Sequence, residues 1–291
     1  RWVRPFEIFS RALGMPGANE ADPSPLLAVV VPLMFGYMFG DVGQGLVLAV
    51  GGWWWRRRTP IARLVMVGGV SAVAFGLVFG SVFGLHGLVP ALWLHPLDAP
   101  LSVLLAPLVG GAVLLTLGLA LGALQAWWRA QSRDWLLGDA AHLVVYLALL
   151  ASFRTSVGLM VAAAGAAYAV IGGAMRGRSI GAGLRALGEL AEKTVQILIN
   201  TLSFARVGAF ALAHAGLSSA VVALMDAADA VVVKALVLVV GNVFVIVLEA
   251  MVVSIQTTRL VLFEFFTRFL QAQGRAFRPL PPPPSVVQES R

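Results

Sequence analysis

"NTLSFARVGAFALAHAG" (residues 200–216) sets an arginine, Arg206, inside a long apolar run. A second, Arg259, lies in "VIVLEAMVVSIQTTRLVLF" (residues 245–263). At about 1.5 Å per residue Arg206 is roughly 20 Å from either end of its run. A side chain that deep does not reach the headgroups. Holding a guanidinium at mid-membrane costs at least about 2.5–3.5 kcal/mol on insertion scales. Two readings meet that cost: a structural tie to a neighbouring helix, or a place on an ion pathway.

The surrounding composition fixes the class. Of 291 residues 59% are hydrophobic and 12% charged, with a mean hydropathy of +0.88, whereas soluble domains carry about 25% charged residues. A chain of this kind is built to face lipid. There is no cysteine, which excludes disulfides and thiolate metal sites. The formal charge of +7 sits in short basic groups between apolar spans. That pattern reports topology and does not form the basic face of a nucleic-acid binder.

A spanning helix takes about 20 apolar residues. Candidates fall at 25–39, 42–55, 62–84, 101–125, 139–153, 157–175, 192–224 and 231–270, eight in all. The expected fold is therefore all-α and polytopic, with the last two helices long enough to be tilted. Placing the N-terminus in the cytoplasm puts seventeen of the 21 basic residues inside, among them Arg56, Arg57, Arg58, Arg129, Arg178 and Lys193. Both termini are then expected to be cytoplasmic. Residues 1–24 read as a cytoplasmic lead-in, 25–270 as the transmembrane domain, and 271–291, with "RPLPPPPS", as an extended cytoplasmic tail. The opening "RWVRPFEIFSRALG" lacks a methionine and a signal peptide, so a larger N-terminal part is expected before it. Glycines spaced by four (Gly76, Gly80, Gly84; Gly118, Gly122) suggest close helix packing.

Polar residues on the two long spans are phased. At about 100° per residue, Glu192, Gln196, Asn200, Ser203, His214 and Ser218 fall within about a third of the circumference that includes Arg206. On the last span Asn242, Gln256, Arg259 and Glu264 share a broader face with Glu249. Two such stripes can line a hydrated route, which lipid-facing helices cannot. A fixed cation partway along it blocks a hopping proton. Transport then needs a moving carboxylate that passes the arginine, and the carrier is expected on another subunit.

At this point a family is recognisable. "PLMFGYMFGDVGQG" (residues 32–45), "SFARVGAFALAHAGLS" (residues 203–218) and "LEAMVVSIQTTRL" (residues 248–260) resemble the membrane half of the rotary V-type ATPase a/I subunit, in its prokaryotic branch. The resemblance implies two aqueous half-channels beside a ring of proteolipid subunits, with Arg206 facing the ring carboxylate and Arg259 as its companion. It also implies that Gln256 steadies Arg259, that His214 and Glu249 belong to the outer half-channel, and that Glu192, Gln196 and Ser203 line the inner one. Ile199 and Gln44 depart from the family pattern. The implied partners are the proteolipid ring, the peripheral and central stalk subunits and membrane lipid, in a prokaryotic cell membrane.

No glycine-rich phosphate loop followed by Lys-Ser/Thr is present. Nucleotide chemistry is therefore expected on other subunits, and no cofactor or metal is expected here. Asp41 reads as an N-cap, Asp139 as a capping acid with His142 packed beside it, and His86 and His95 lack the partners of a metal site. "WWWRRR" (residues 53–58) reads as an interfacial aromatic belt with cytoplasmic anchors. Two other functions stay open: a stand-alone secondary transporter whose arginines bind an anion, although no internal repeat is visible, and a non-conducting structural stator.

Overall fold

In the computed structural model the described residues are 24–86, 88–128, 135–136 and 139–260. The lead-in before residue 24, the proline-rich tail, Arg129, Glu264 and the end of the last span lie outside them. Nine helices are described: α1 (Ser24–Met38), α2 (Val42–Trp55), α3 (Pro60–Phe79), α4 (Pro100–Trp128), α5 (Asp139–Ser152), α6 (Val157–Gly177), α7 (Ile180–Ser203), α8 (Ala205–Asp226) and α9 (Val231–Leu260). Five segments are long and apolar enough to cross a membrane: α3, α4, α6, α9 and the 47-residue run of α7 with α8. The all-α polytopic expectation is met, and large hydrophobic side chains stand exposed along these helices.

The helix starts follow local chemistry. Asp41, Thr59 and Ser179 each accept a hydrogen bond from the backbone N–H three residues on, the usual N-cap geometry. Pro60 fills the first position of α3, where its missing N–H costs nothing. The turn between α1 and α2 is shorter than the motif suggests. Only residues 39–41 lie between the helices, and "GQG" is already in α2. Gly80 ends α3 with φ 67°. It leads into a two-stranded hairpin, Ser81–Val82 paired with Leu85–His86. Phe83 and Gly84, at φ 51° and 75°, form the two-residue turn, as a tight hairpin requires.

Packing relies on small residues, at positions that differ in part from those the spacing picks out. Ideal Cβ atoms at Gly45, Gly69 and Gly76 would lie 2.8, 2.4 and 2.3 Å from backbone nitrogens of Val73, Ala49 and Val42. Helices α2 and α3 therefore meet backbone to backbone. Of the spaced glycines, Gly76 serves this purpose, Gly80 and Gly84 serve turns, and Gly122 has open space around it. Helices α5, α6 and α7 pack on one another around Ala141, Val145, Ala169 and Leu190. The main core joins α1, α3, α4, α8 and α9 through Tyr37, Phe39, Phe79, Val103 and Val207. Tyr37 donates to the Val103 carbonyl at 2.9 Å, and Tyr146 is bonded to Thr201 at 2.9 Å.

The seventh expected span, 192–224, needs two changes. Its helix starts twelve residues earlier, at Ile180, and is interrupted at Phe204. There the N–H groups of Phe204 and Val207 reach back only three residues, to Thr201 and Phe204, which tightens one turn. The cause lies in α4: the Phe204 ring is buried against Gly111, where even a Cβ would come within 2.2 Å of it.

Candidate functional site

The site is built on the α8–α9 pair. The helices run antiparallel in contact, joined by residues 227–230. Their facing residues include His214 and Ser218 on α8 and Asn242 and Glu249 on α9, all buried. His214 Nδ1 is bonded to Glu249 Oε2. A buried carboxyl and imidazole joined this way satisfy one another, where a low-dielectric interior would penalise either group left alone. The Phe39 ring covers the imidazole at a centroid distance of 5.1 Å.

The α1–α2 turn is part of this site. Asp41, fully buried, accepts from Gln44 N and Phe83 N on Oδ1 and from Ser81 Oγ and Gly84 N on Oδ2, at 2.7 to 2.9 Å. One carboxyl thus caps α2 and binds the hairpin to it. Gly84 in turn rests on α8, where a Cβ would come 2.9 Å from the Ser218 carbonyl oxygen. Gln44, also fully buried, donates from Nε2 to Asn242 Oδ1 at 2.9 Å. Asn242 Nδ2 donates to the Leu238 carbonyl at 2.9 Å.

Arg206 stands in the first turn of α8, half-buried. Its Nη1 is buried and has no hydrogen-bond partner among the described residues. Ser203, just before the tight turn, donates to the Ile199 carbonyl at 3.2 Å. Gln256 is half-buried with a buried Oε1 that has no partner among the described residues, and Arg259 one turn on is exposed. Glu192 and Gln196 are exposed on the side of α7 away from its packed residues Leu190, Thr194, Ile197 and Thr201.

Of the residues singled out in the sequence, the structure joins His214 to Glu249. It forms no hydrogen bond or ion pair among the described residues for Arg206 or Arg259. Asp41 is the N-cap expected of it. Asp139 opens α5 and is ion-paired with Lys193 at 2.9 Å, and His142 is buried on the same helix. Helical phasing had marked Ser218 and Asn242 as polar positions. The role of Gln44 was missed, because its partner lies 198 residues away.

No family model matches the chain. Curated relatives do. It is 26% identical to the A-type ATP synthase subunit I of Pyrococcus horikoshii, over 94% of this chain and 45% of that protein. It is 29% identical to the subunit of the same name from Halobacterium salinarum, over 74% of this chain and 34% of that protein. A shorter segment, 30% of this chain, is 35% identical to V-type ATP synthase subunit I 2 of Treponema pallidum, covering 21% of that protein. The chain spans about half the length, or less, of the curated relatives it matches. Three motifs in order, an all-helical polytopic fold and archaeal relatives aligned along most of the sequence agree: the chain is similar along most of its length to subunit I of A/V-type ATP synthases.

Proposed function

We propose that this chain is the ion-translocating part of a rotary ATPase stator, with both termini in the cytoplasm and two proton half-channels beside a proteolipid ring. The carrying observation is the state of Arg206. Its guanidinium is half-buried, and the buried Nη1 has no partner in its own bundle among the described residues. A buried donor left so is costly, and a carboxylate on a neighbouring subunit would satisfy it with a charge-assisted bond.

The arrangement on either side supports the division. Toward the α8–α9 turn, His214 and Glu249 form a buried relay for the outer half-channel. Toward the other end, Ser203, Gln196 and Glu192 line the inner half on α7. Arg259, steadied by Gln256, adds a second positive charge on the flank of α9. A proton entering on one side is handed to the ring carboxylate, carried past Arg206 by rotation, and released on the other. ATP is made or hydrolysed by other subunits, to which stalk subunits connect this one.

The test is Arg206→Ala in the assembled complex, reconstituted in vesicles. ATP-driven acidification falls to background while the purified complex keeps all its subunits. Acidification at the unmodified rate overturns the reading.

A further inference from the structure

The polar column between α8 and α9 continues past the His214–Glu249 pair. Taking that pair as a level and about 1.5 Å per residue, Ser218 lies about 6 Å nearer the α8–α9 turn and Asn242 about 10 Å nearer. The levels are thus about 4 to 6 Å apart along the axis. A direct hydrogen bond spans about 2.7–3.2 Å, so one bridging water between levels fits where a direct contact does not.

At each level a buried polar atom lacks a partner among the described residues: His214 Nε2, Ser218 Oγ and Gln44 Oε1. Their residues are 4, 3 and 0% exposed. Such atoms are nearly always bonded, to protein or to ordered water. The Gln44–Asn242 rung is held in one orientation. The Leu238 carbonyl takes one Asn242 amide hydrogen, which turns Oδ1 to Gln44 Nε2 and leaves Gln44 Oε1 as the acceptor without a partner among the described residues. Asp41 fixes the other wall, since it ties Gly84 to the start of α2 while Gly84 presses on Ser218.

We propose that Gln44, Ser218 and Asn242 hold a short file of ordered water that runs from the His214–Glu249 pair toward the α8–α9 turn as far as the Gln44–Asn242 rung. The proposal rests on the half-channel reading above, extends it to Gln44 and gives Ser218 and Asn242 a defined part in it. The donor set selects water over a cation: two neutral oxygens and an imidazole nitrogen are too few and too weak for a sodium or calcium ion. Transfer along the file is balanced. A proton arriving at the Gln44–Asn242 rung bonds to the first water, which releases one of its own to the next, and the last passes one to the imidazole–carboxyl pair. Gln44 and Ser218 orient the waters and exchange no proton themselves.

The experiment uses the complete rotary complex. In a map fine enough to resolve water, density is expected within hydrogen-bond distance of Gln44 Oε1 and Ser218 Oγ. Gln44→Met keeps length and apolar volume but removes the acceptor, and Ser218→Ala removes the hydroxyl. Each is expected to lower proton flux about tenfold, the effect of roughly 1.4 kcal/mol on a barrier, with ATP hydrolysis by the detached catalytic part unchanged. If the space is filled by a side chain, or if both variants keep the unmodified flux, the water file is overturned. Arg206→Ala separates the two ideas. Lost flux there with normal flux in Gln44→Met sinks the file alone, and normal flux in Arg206→Ala sinks the half-channel reading beneath it.

Discussion

The buried middle of the α8–α9 pair and the end that carries Arg206 and Arg259 handle polar side chains in opposite ways. In the middle His214 is bonded to Glu249 and Gln44 to Asn242, and all four are buried. Near that end Glu192, Gln196 and Arg259 stand exposed, and Arg206 is half-buried without a hydrogen bond among the described residues. A buried polar group must find its partner inside the fold, whereas one at an open face leaves that partner to another molecule. The first region is therefore under structural constraint as well as any functional one. The second is free of it.

The sharpest test of that contrast is Asp41→Ala. It strips four donors of their common acceptor, and buried donors left unmet cost about 1–3 kcal/mol each. A loss of about 3 kcal/mol or more is expected in denaturant titration of the full-length subunit in mixed micelles, and a loss near zero would break the contrast. His214→Ala comes next, at about 2–3 kcal/mol, since it leaves the Glu249 carboxyl buried without its bond. Glu249→Gln keeps a polar partner for the imidazole and should cost less than half of that by the same titration.

Arg206→Ala sharpens the comparison from the other side. Transport is lost, yet unfolding should stay within about 0.5 kcal/mol of the unmodified protein, as for a residue with no structural partner. The smallest effect is expected at Lys193→Ala. Its ion pair with Asp139 is half exposed at both ends, so about 0–1 kcal/mol is at stake. That difference should fade as salt is added to the titration.

The same contrast explains what could be read from the amino-acid order. Apolar runs marked the helices, and Asp41 announced itself as a cap because a carboxylate before a helix has few other uses. The start of α7 was misplaced: "GLRALGELAEK" is too charged to count as membrane span, yet its Ala, Leu and Glu favour helix with or without lipid. The interruption at Phe204 carries no glycine or proline to signal it. It comes from a ring meeting Gly111 about ninety positions away. Phasing placed His214 and Glu249 on facing stripes, since both are set by local geometry. The Gln44–Asn242 rung was invisible for the reason Phe204 was: contacts between distant segments leave no local pattern.

Helix α4 presses on α8 at two points that bracket Arg206. Gly111 receives the Phe204 ring, and at Gly208 a Cβ would lie only 2.4 Å from the Val103 carbonyl oxygen. The main chain under the arginine is thereby clamped on both sides, and only side-chain torsions are left to it. Under the proposed function the anionic partner would have to be brought to the guanidinium, because α4 holds the backbone on both sides of it.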